Sequence, residues 1–187
     1  MSRLELPDKK SLAEIEPLKD IIEEIMGFVP NSLLQMGRHP AIAKAIVELA
    51  ATIMSPDHGT VDVELKYLIA HIASSAAGCR YCMAHTAHSA NKVGVTADRL
   101  ENVWEFASSP YFTDAEKAVL AFARDAAVLP NAVTDAGFEE LKQFYSADEI
   151  TEIVSVISLF GFLNRWNDTF ATELEELPLA FAKTHTP

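Results

Sequence analysis

Three times this chain sets a serine or threonine three residues ahead of a glutamate at the head of an apolar stretch: Ser11 with Glu14, Thr113 with Glu116, and Ser146 with Glu149. At that spacing the hydroxyl accepts from the backbone N–H three residues on, while the carboxylate reaches back to the N–H of the hydroxyl residue. Two of the donors that a helix start leaves bare are thereby satisfied together. Behind the first box Ile15, Leu18, Ile22 and Ile25 recur at helical spacing up to Gly27, and the same period runs through most of the chain. Glycine occurs only 7 times, and no run of β-branched and aromatic residues alternates with polar ones. The reading is all-α: a single domain over residues 1–187, a bundle of about seven to eight helices. Helices are expected over 11–27, 40–54, 61–77 (capped by Thr60), 79–93, 96–106, 113–128, 134–144 and 146–166, with a short turn at 31–37. The last twenty residues are expected to be loose.

At 187 residues the chain can bury a core without disulfides or a structural metal. With 15 Lys+Arg against 27 Asp+Glu the net charge is −12, which argues against nucleic acid and against an anionic membrane surface as partners. The N-terminal residues show no secretory signal. The longest strongly apolar stretch, residues 156–163, is far short of the ~18 that span a bilayer. A cytoplasmic location follows as an expectation, and there thiols are normally kept reduced.

Against that background the two cysteines, Cys79 and Cys82, are a local pair rather than scattered staples. Gly78 stops one helix and the cysteines open the next, where bare N–H groups and the positive end of the macrodipole favour an anion. A thiolate near neutrality is the expectation, with Arg80 adding positive charge. Two cysteines three apart lie on one face and can close a disulfide. His85 follows Cys82 by three residues, within side-chain reach, and His88 by six. A histidine there can take the thiol proton or help an oxygen leave. On the preceding helix Glu64, Tyr67 and His71 share a face that Ser74 and Ser75 continue, a candidate proton relay.

Plainer readings stand beside these. Tyr67, Tyr81 and Met83 are expected to pack, and His71 is more often a core histidine than a catalyst. Zinc on Cys79, Cys82, His85 and His88 would have to close over nine residues of helix, ~13.5 Å at the usual rise, so no metal is assigned. His39, His58 and His185 carry no functional reading. The run from Asn164 to Asp168 reads as a C-cap with an Arg165–Asp168 ion pair, or else Arg165 or Trp166 lines a pocket or an interface. Glu173 to Glu176 reads as a solvated face.

The stretch over residues 65–94, with its apolar helix, Gly78, Cys79-x-x-Cys82, a histidine just beyond and Gly94, resembles the core motif of the alkylhydroperoxidase D-like proteins of the carboxymuconolactone decarboxylase superfamily. The resemblance implies an alkylhydroperoxidase D-like fold, usually oligomeric, and a thiol-dependent peroxidase needing no cofactor. Cys82 would form the sulfenic acid from a hydroperoxide, Cys79 would resolve it, and an external lipoyl- or thioredoxin-like dithiol would restore the thiols. Two positions depart from the family pattern. Its histidine lies four after the second cysteine, where this chain has Thr86, and His85 is the natural substitute. Its relay glutamate lies twelve before the first, where this chain has Tyr67, and Glu64 or His71 would take that role. The alternatives are a disulfide reductase or redox sensor, a non-redox lyase or hydrolase using His85 or His88, and a non-enzymatic helical oligomer or metal-binding module.

Overall fold

The computed structural model describes residues 2–185 and contains only helices among them. The order is α1 Lys9–Ala13, α2 Glu16–Met26, α3 Asn31–Met36, α4 Pro40–Met54, α5 Val63–Ala76, α6 Arg80–Val93, α7 Ala97–Glu101, α8 Asp114–Ala127, α9 Asp135–Leu141, α10 Ala147–Phe170 and α11 Glu176–His185. The all-α expectation holds. The helix count rises because the first expected helix is split in two, the turn at 31–37 forms α3, and the C-terminal segment adds α11. No described helix is long and apolar enough to cross a membrane.

The centre is α5, which packs against α6, α8 and α10. Its Leu68, Ile69, Ala70, Ile72 and Ala73 are wholly buried, on the apolar sides of a helix that also carries the stripe from Glu64 to Ser75. Burying each large side chain of this set contributes about 1.5–3 kcal/mol. A smaller cluster of Ile15, Leu33, Met36 and Ala43 joins the N-terminal helices to Leu163 and Trp166 of α10.

The start of α5 is tied down by charge. Lys66 is 0% exposed. Its Nζ donates to the carbonyls of Ser55 and His58, both at 3.1 Å, and pairs with Glu152 at 3.3 Å. Glu152 also accepts the N–H groups of Thr60 and Val61. Thr60 is therefore not the cap. Asp62 is, its carboxylate accepting from the Glu64 N–H at 2.8 Å.

Both downstream capping boxes form, at Thr113 and Ser146. The Ser11 side chain lies outside the described residues. The helix expected over 11–27 is broken before Glu16, because Pro17 has no N–H to continue the ladder. The one expected over 96–106 stops at Glu101, where Asn102 Nδ2 bonds the Asp98 carbonyl and diverts the backbone. That over 134–144 ends at Leu141, the chain tightening into i→i+3 bonds from Gln143 and Phe144. α10 runs past Trp166 to Phe170. There Ala171 adopts a left-handed conformation (φ 48°), and its N–H and that of Thr172 close onto the carbonyls of Asp168 and Asn167. This turn sends the chain back as α11, which packs against α6. The C-terminal segment is thus part of the fold, not loose.

Candidate active site

The thiol turn is set by backbone bonding. α5 ends in a six-to-one, five-to-two closure: the Cys79 N–H donates to the Ser74 carbonyl and the Gly78 N–H to the Ser75 carbonyl, both at 3.0 Å. The closure requires a left-handed residue, and Gly78 supplies it at φ 76°. Cys79 becomes the N-cap of α6, and Cys82 sits in its first turn. The turn therefore points both sulfurs into one place. They are free thiols, 0% and 3% exposed.

Burial changes the expected electrostatics. The Cys82 thiol is held well above its ordinary range, first by the neighbouring Cys79 sulfur, then by burial and, more weakly, by the Asp168 carboxylate. One group works the other way: Asn167 Nδ2 donates to Cys82 Sγ at 3.4 Å. The helix start expected to favour a Cys82 thiolate is present, but in the reduced, enclosed pair it is outweighed.

His85 does not hydrogen-bond either thiol. Its Nε2 meets Glu175 Oε2 at 2.6 Å, and its ring stacks on Tyr81 with centroids 4.2 Å apart. Glu175 is the centre of this network. It accepts from the Tyr81 hydroxyl at 2.7 Å and from the Asn31 backbone N–H. Burial alone would raise its carboxyl, but the hydrogen bond and charge of His85, with the Asn31 and Tyr81 donors, hold it below the usual carboxylate range. The acidic run expected to be a solvated face therefore contributes a side chain only 11% exposed. Tyr81, expected merely to pack, is one of its ligands. Its hydroxyl is pushed up by burial first and then by the Glu175 charge.

The relay expected on α5 is not assembled. Glu64 pairs with Arg99 at 3.4 Å, and Arg99 also pairs with Glu116. Glu64 opens α5, about four turns from the thiol turn. Tyr67 is bonded to Ser89, and burial raises its pKa. His71 is closer. Its Nδ1 lies 2.9 Å from Thr86 Oγ1, which itself donates to the Cys82 carbonyl at 2.8 Å. Burial lowers the His71 pKa to about 4 against a bond to the Met83 backbone, so the ring is neutral. Ser75 donates to the His71 carbonyl. His71, Ser75, Met83 and Trp104 line a cavity of about 220 Å³ whose lining excludes both cysteines. His88 packs edge-on against Phe181 and tilted against Phe28, its pKa lowered by burial, Lys92 and His85. Among the described residues no three His, Cys, Asp or Glu side chains converge as a metal site.

No Arg165–Asp168 ion pair forms. Arg165 and Trp166 line a groove with Leu129, Phe162 and Phe170, whose lining excludes both cysteines. What the sequence reading missed is Asn167, Glu175 and Thr86. Asn167 had a signal: Ile153, Val156, Phe160, Asn164 and Asn167 recur at helical spacing on the buried face of α10, so an amide continues an apolar stripe. Glu175 had none, because its partners lie about 90 and 140 residues away.

Comparison with known proteins fits this geometry. Residues 40–125, which carry the thiol turn, match the carboxymuconolactone decarboxylase family. A Cys→Ala variant of the debrominase Bmp8 in complex with 2,3,4-tribromopyrrole is 33% identical, covering 98% of this chain and 99% of that one, with a TM-score of 0.90. The chain belongs to the carboxymuconolactone decarboxylase family. Its fold is alkylhydroperoxidase D-like. An uncharacterized peroxidase-related protein of Ralstonia eutropha JMP134, an alkylhydroperoxidase D core, has the same fold at TM-score 0.83 and 21% identity, covering 100% of this chain and 97% of that one. The uncharacterized protein YnjA of Escherichia coli K12 is 26% identical over 141 residues, 75% of this chain and 77% of that protein.

Proposed function

We propose that this family member is a dithiol reductase that reduces hydroperoxides, with Cys82 as nucleophile and Cys79 as resolving thiol. The observation that carries the reading is the buried pair itself: two free thiols close together at one helix start. Cys82 Sγ, once deprotonated, attacks the terminal oxygen of R–O–O–H. The O–O bond breaks, the alcohol leaves with a proton, and Cys82 becomes a sulfenic acid. Cys79 Sγ then displaces that oxygen as water, and the pair ends as a disulfide with two electrons transferred. His85, oriented by Glu175, is one helical turn along and is assigned the proton traffic. An external dithiol of the lipoyl or thioredoxin class would return the electrons.

A second reading is reductive dehalogenation, favoured by the likeness to Bmp8 over nearly the whole chain. There Cys82 Sγ would take the halogen of an aryl halide, a proton would replace it on carbon, and Cys79 would expel halide as the disulfide forms. Turnover with a thiol reductant on tert-butyl hydroperoxide and on a bromopyrrole, for wild type and Cys82→Ser, separates the two. The proposal expects hydroperoxide turnover that Cys82→Ser abolishes. Turnover confined to the bromopyrrole would replace it with the second reading, and hydroperoxide turnover that survives the substitution would end it.

A further inference from the structure

Asn167 is 2% exposed, and Asn164, one turn earlier on the same face of α10, is 4% exposed. Asn167 Nδ2 donates to Cys82 Sγ and to the Leu163 carbonyl at 2.9 Å. Its Oδ1 meets no partner in the protein, and neither amide atom of Asn164 does. A buried polar atom without a partner loses its bonds to water and gains none in return. Three on one face of one helix, beside a nucleophilic sulfur, are expensive as mere packing in a layer otherwise filled by Ile153, Val156 and Phe160.

We propose that Asn167 is a catalytic residue that acts at two atoms. Its Nδ2–H holds Cys82 Sγ and favours the thiolate, and its Oδ1, beside the Asn164 amide, accepts the hydrogen of the substrate. The substrate class follows: a small uncharged molecule with an O–H or N–H donor next to the soft atom that sulfur attacks. A hydroperoxide O–H fits, and so does the N–H of a halogenated heteroaromatic. A protein disulfide, which offers no such hydrogen beside its sulfur, does not. The groups facing Cys82 are Cys79 from the same turn and Asn167 and Asp168 from α10. Of these only Asn167 donates to the sulfur without carrying charge.

The assignment rests on the dithiol reading, but its first test does not need turnover. Alkylation of Cys82 by iodoacetamide is followed across pH by peptide mass mapping in wild type, Asn167→Ala and Asn167→Asp. Both variants are expected to shift the profile up by about one unit, which is a tenfold slower reaction at neutral pH. With tert-butyl hydroperoxide, Asn167→Asp keeps an acceptor and should lose mainly kcat, whereas Asn167→Ala should also raise KM. With 2,3,4-tribromopyrrole, wild type should bind more tightly than it binds the N-methyl analogue, and Asn167→Ala should erase that preference. Superimposable alkylation profiles of wild type and Asn167→Ala would overturn the assignment, and should Asn167→Ala fail to fold, Asn167→Leu, which keeps the bulk and brings no charge to Cys82, decides it by the same profile. If wild type forms no Cys79–Cys82 disulfide yet the variants still shift alkylation, the dithiol reading fails and the role of Asn167 at sulfur stands.

Discussion

Replacing Glu175 by Gln removes the charge at the centre of the Tyr81–His85–Asn31 network and keeps the shape. In the wild type the carboxylate accepts three hydrogen bonds, from His85, Tyr81 and the Asn31 N–H, with its side chain only 11% exposed. The amide can still accept from Tyr81 and Asn31 through one oxygen, but it turns an NH2 toward His85. The loss is therefore close to one charge-assisted bond, about 1.5–3 kcal/mol, or roughly 3–12 °C in Tm for a chain of this length. The sign with pH is fixed by the depressed carboxyl. Its folded pKa lies below the unfolded value, so its stabilisation is present above the unfolded pKa and is lost as pH falls through the folded one. Thermal melts of both proteins at neutral pH and at progressively more acid pH are the assay. The gap between them should be full at neutral pH and close in acid. Equal Tm values at neutral pH, or a gap that widens on acidification, would refute the network as described.

Three further outcomes follow from the same structure. Lys66→Ala strips the partner from Glu152 and from the Ser55 and His58 carbonyls, and should lower stability by about 3–5 kcal/mol in denaturant melts; a change under 1 kcal/mol would contradict the buried pair. Gly78→Ala meets no atom within 4 Å, so its cost is the left-handed backbone alone, about 1–2 kcal/mol, read by the same melts; a loss above about 4 kcal/mol would contradict the open space beside Gly78. His71 has its pKa lowered to about 4 by burial, so the wild type should lose stability as pH falls from about 6.5 toward 4; His71→Leu should flatten that limb of the stability–pH curve, and an unchanged slope would place the titration elsewhere.

Much of the fold was legible because the chain writes its helix starts and stops in local chemistry. The boxes at Thr113 and Ser146, Pro40 and the glycines at 78 and 94 act within a few residues, and local bonding is what a sequence shows. The departures are where a distant group overrode a local one. Glu152 took the Thr60 N–H and moved the cap to Asp62. Ala171 accepted a left-handed turn that returns α11 to the core. The thiol pair was readable from Cys-x-x-Cys alone. Its surroundings were not, since the carboxylate beside His85 comes from the far end of the chain and the donor to Cys82 from α10. The relay pattern on α5 was real as a stripe, but Arg99 and Ser89 had claimed Glu64 and Tyr67.

The most direct measurement on the central claim is to treat the fully reduced protein with one equivalent of tert-butyl hydroperoxide, quench with an alkylating agent and weigh the peptides. The account predicts that both thiols vanish together, as a single Cys79–Cys82 disulfide about 2 Da lighter than the dithiol, with one alcohol released for each chain. Two alkylated cysteines after the peroxide has gone would contradict it.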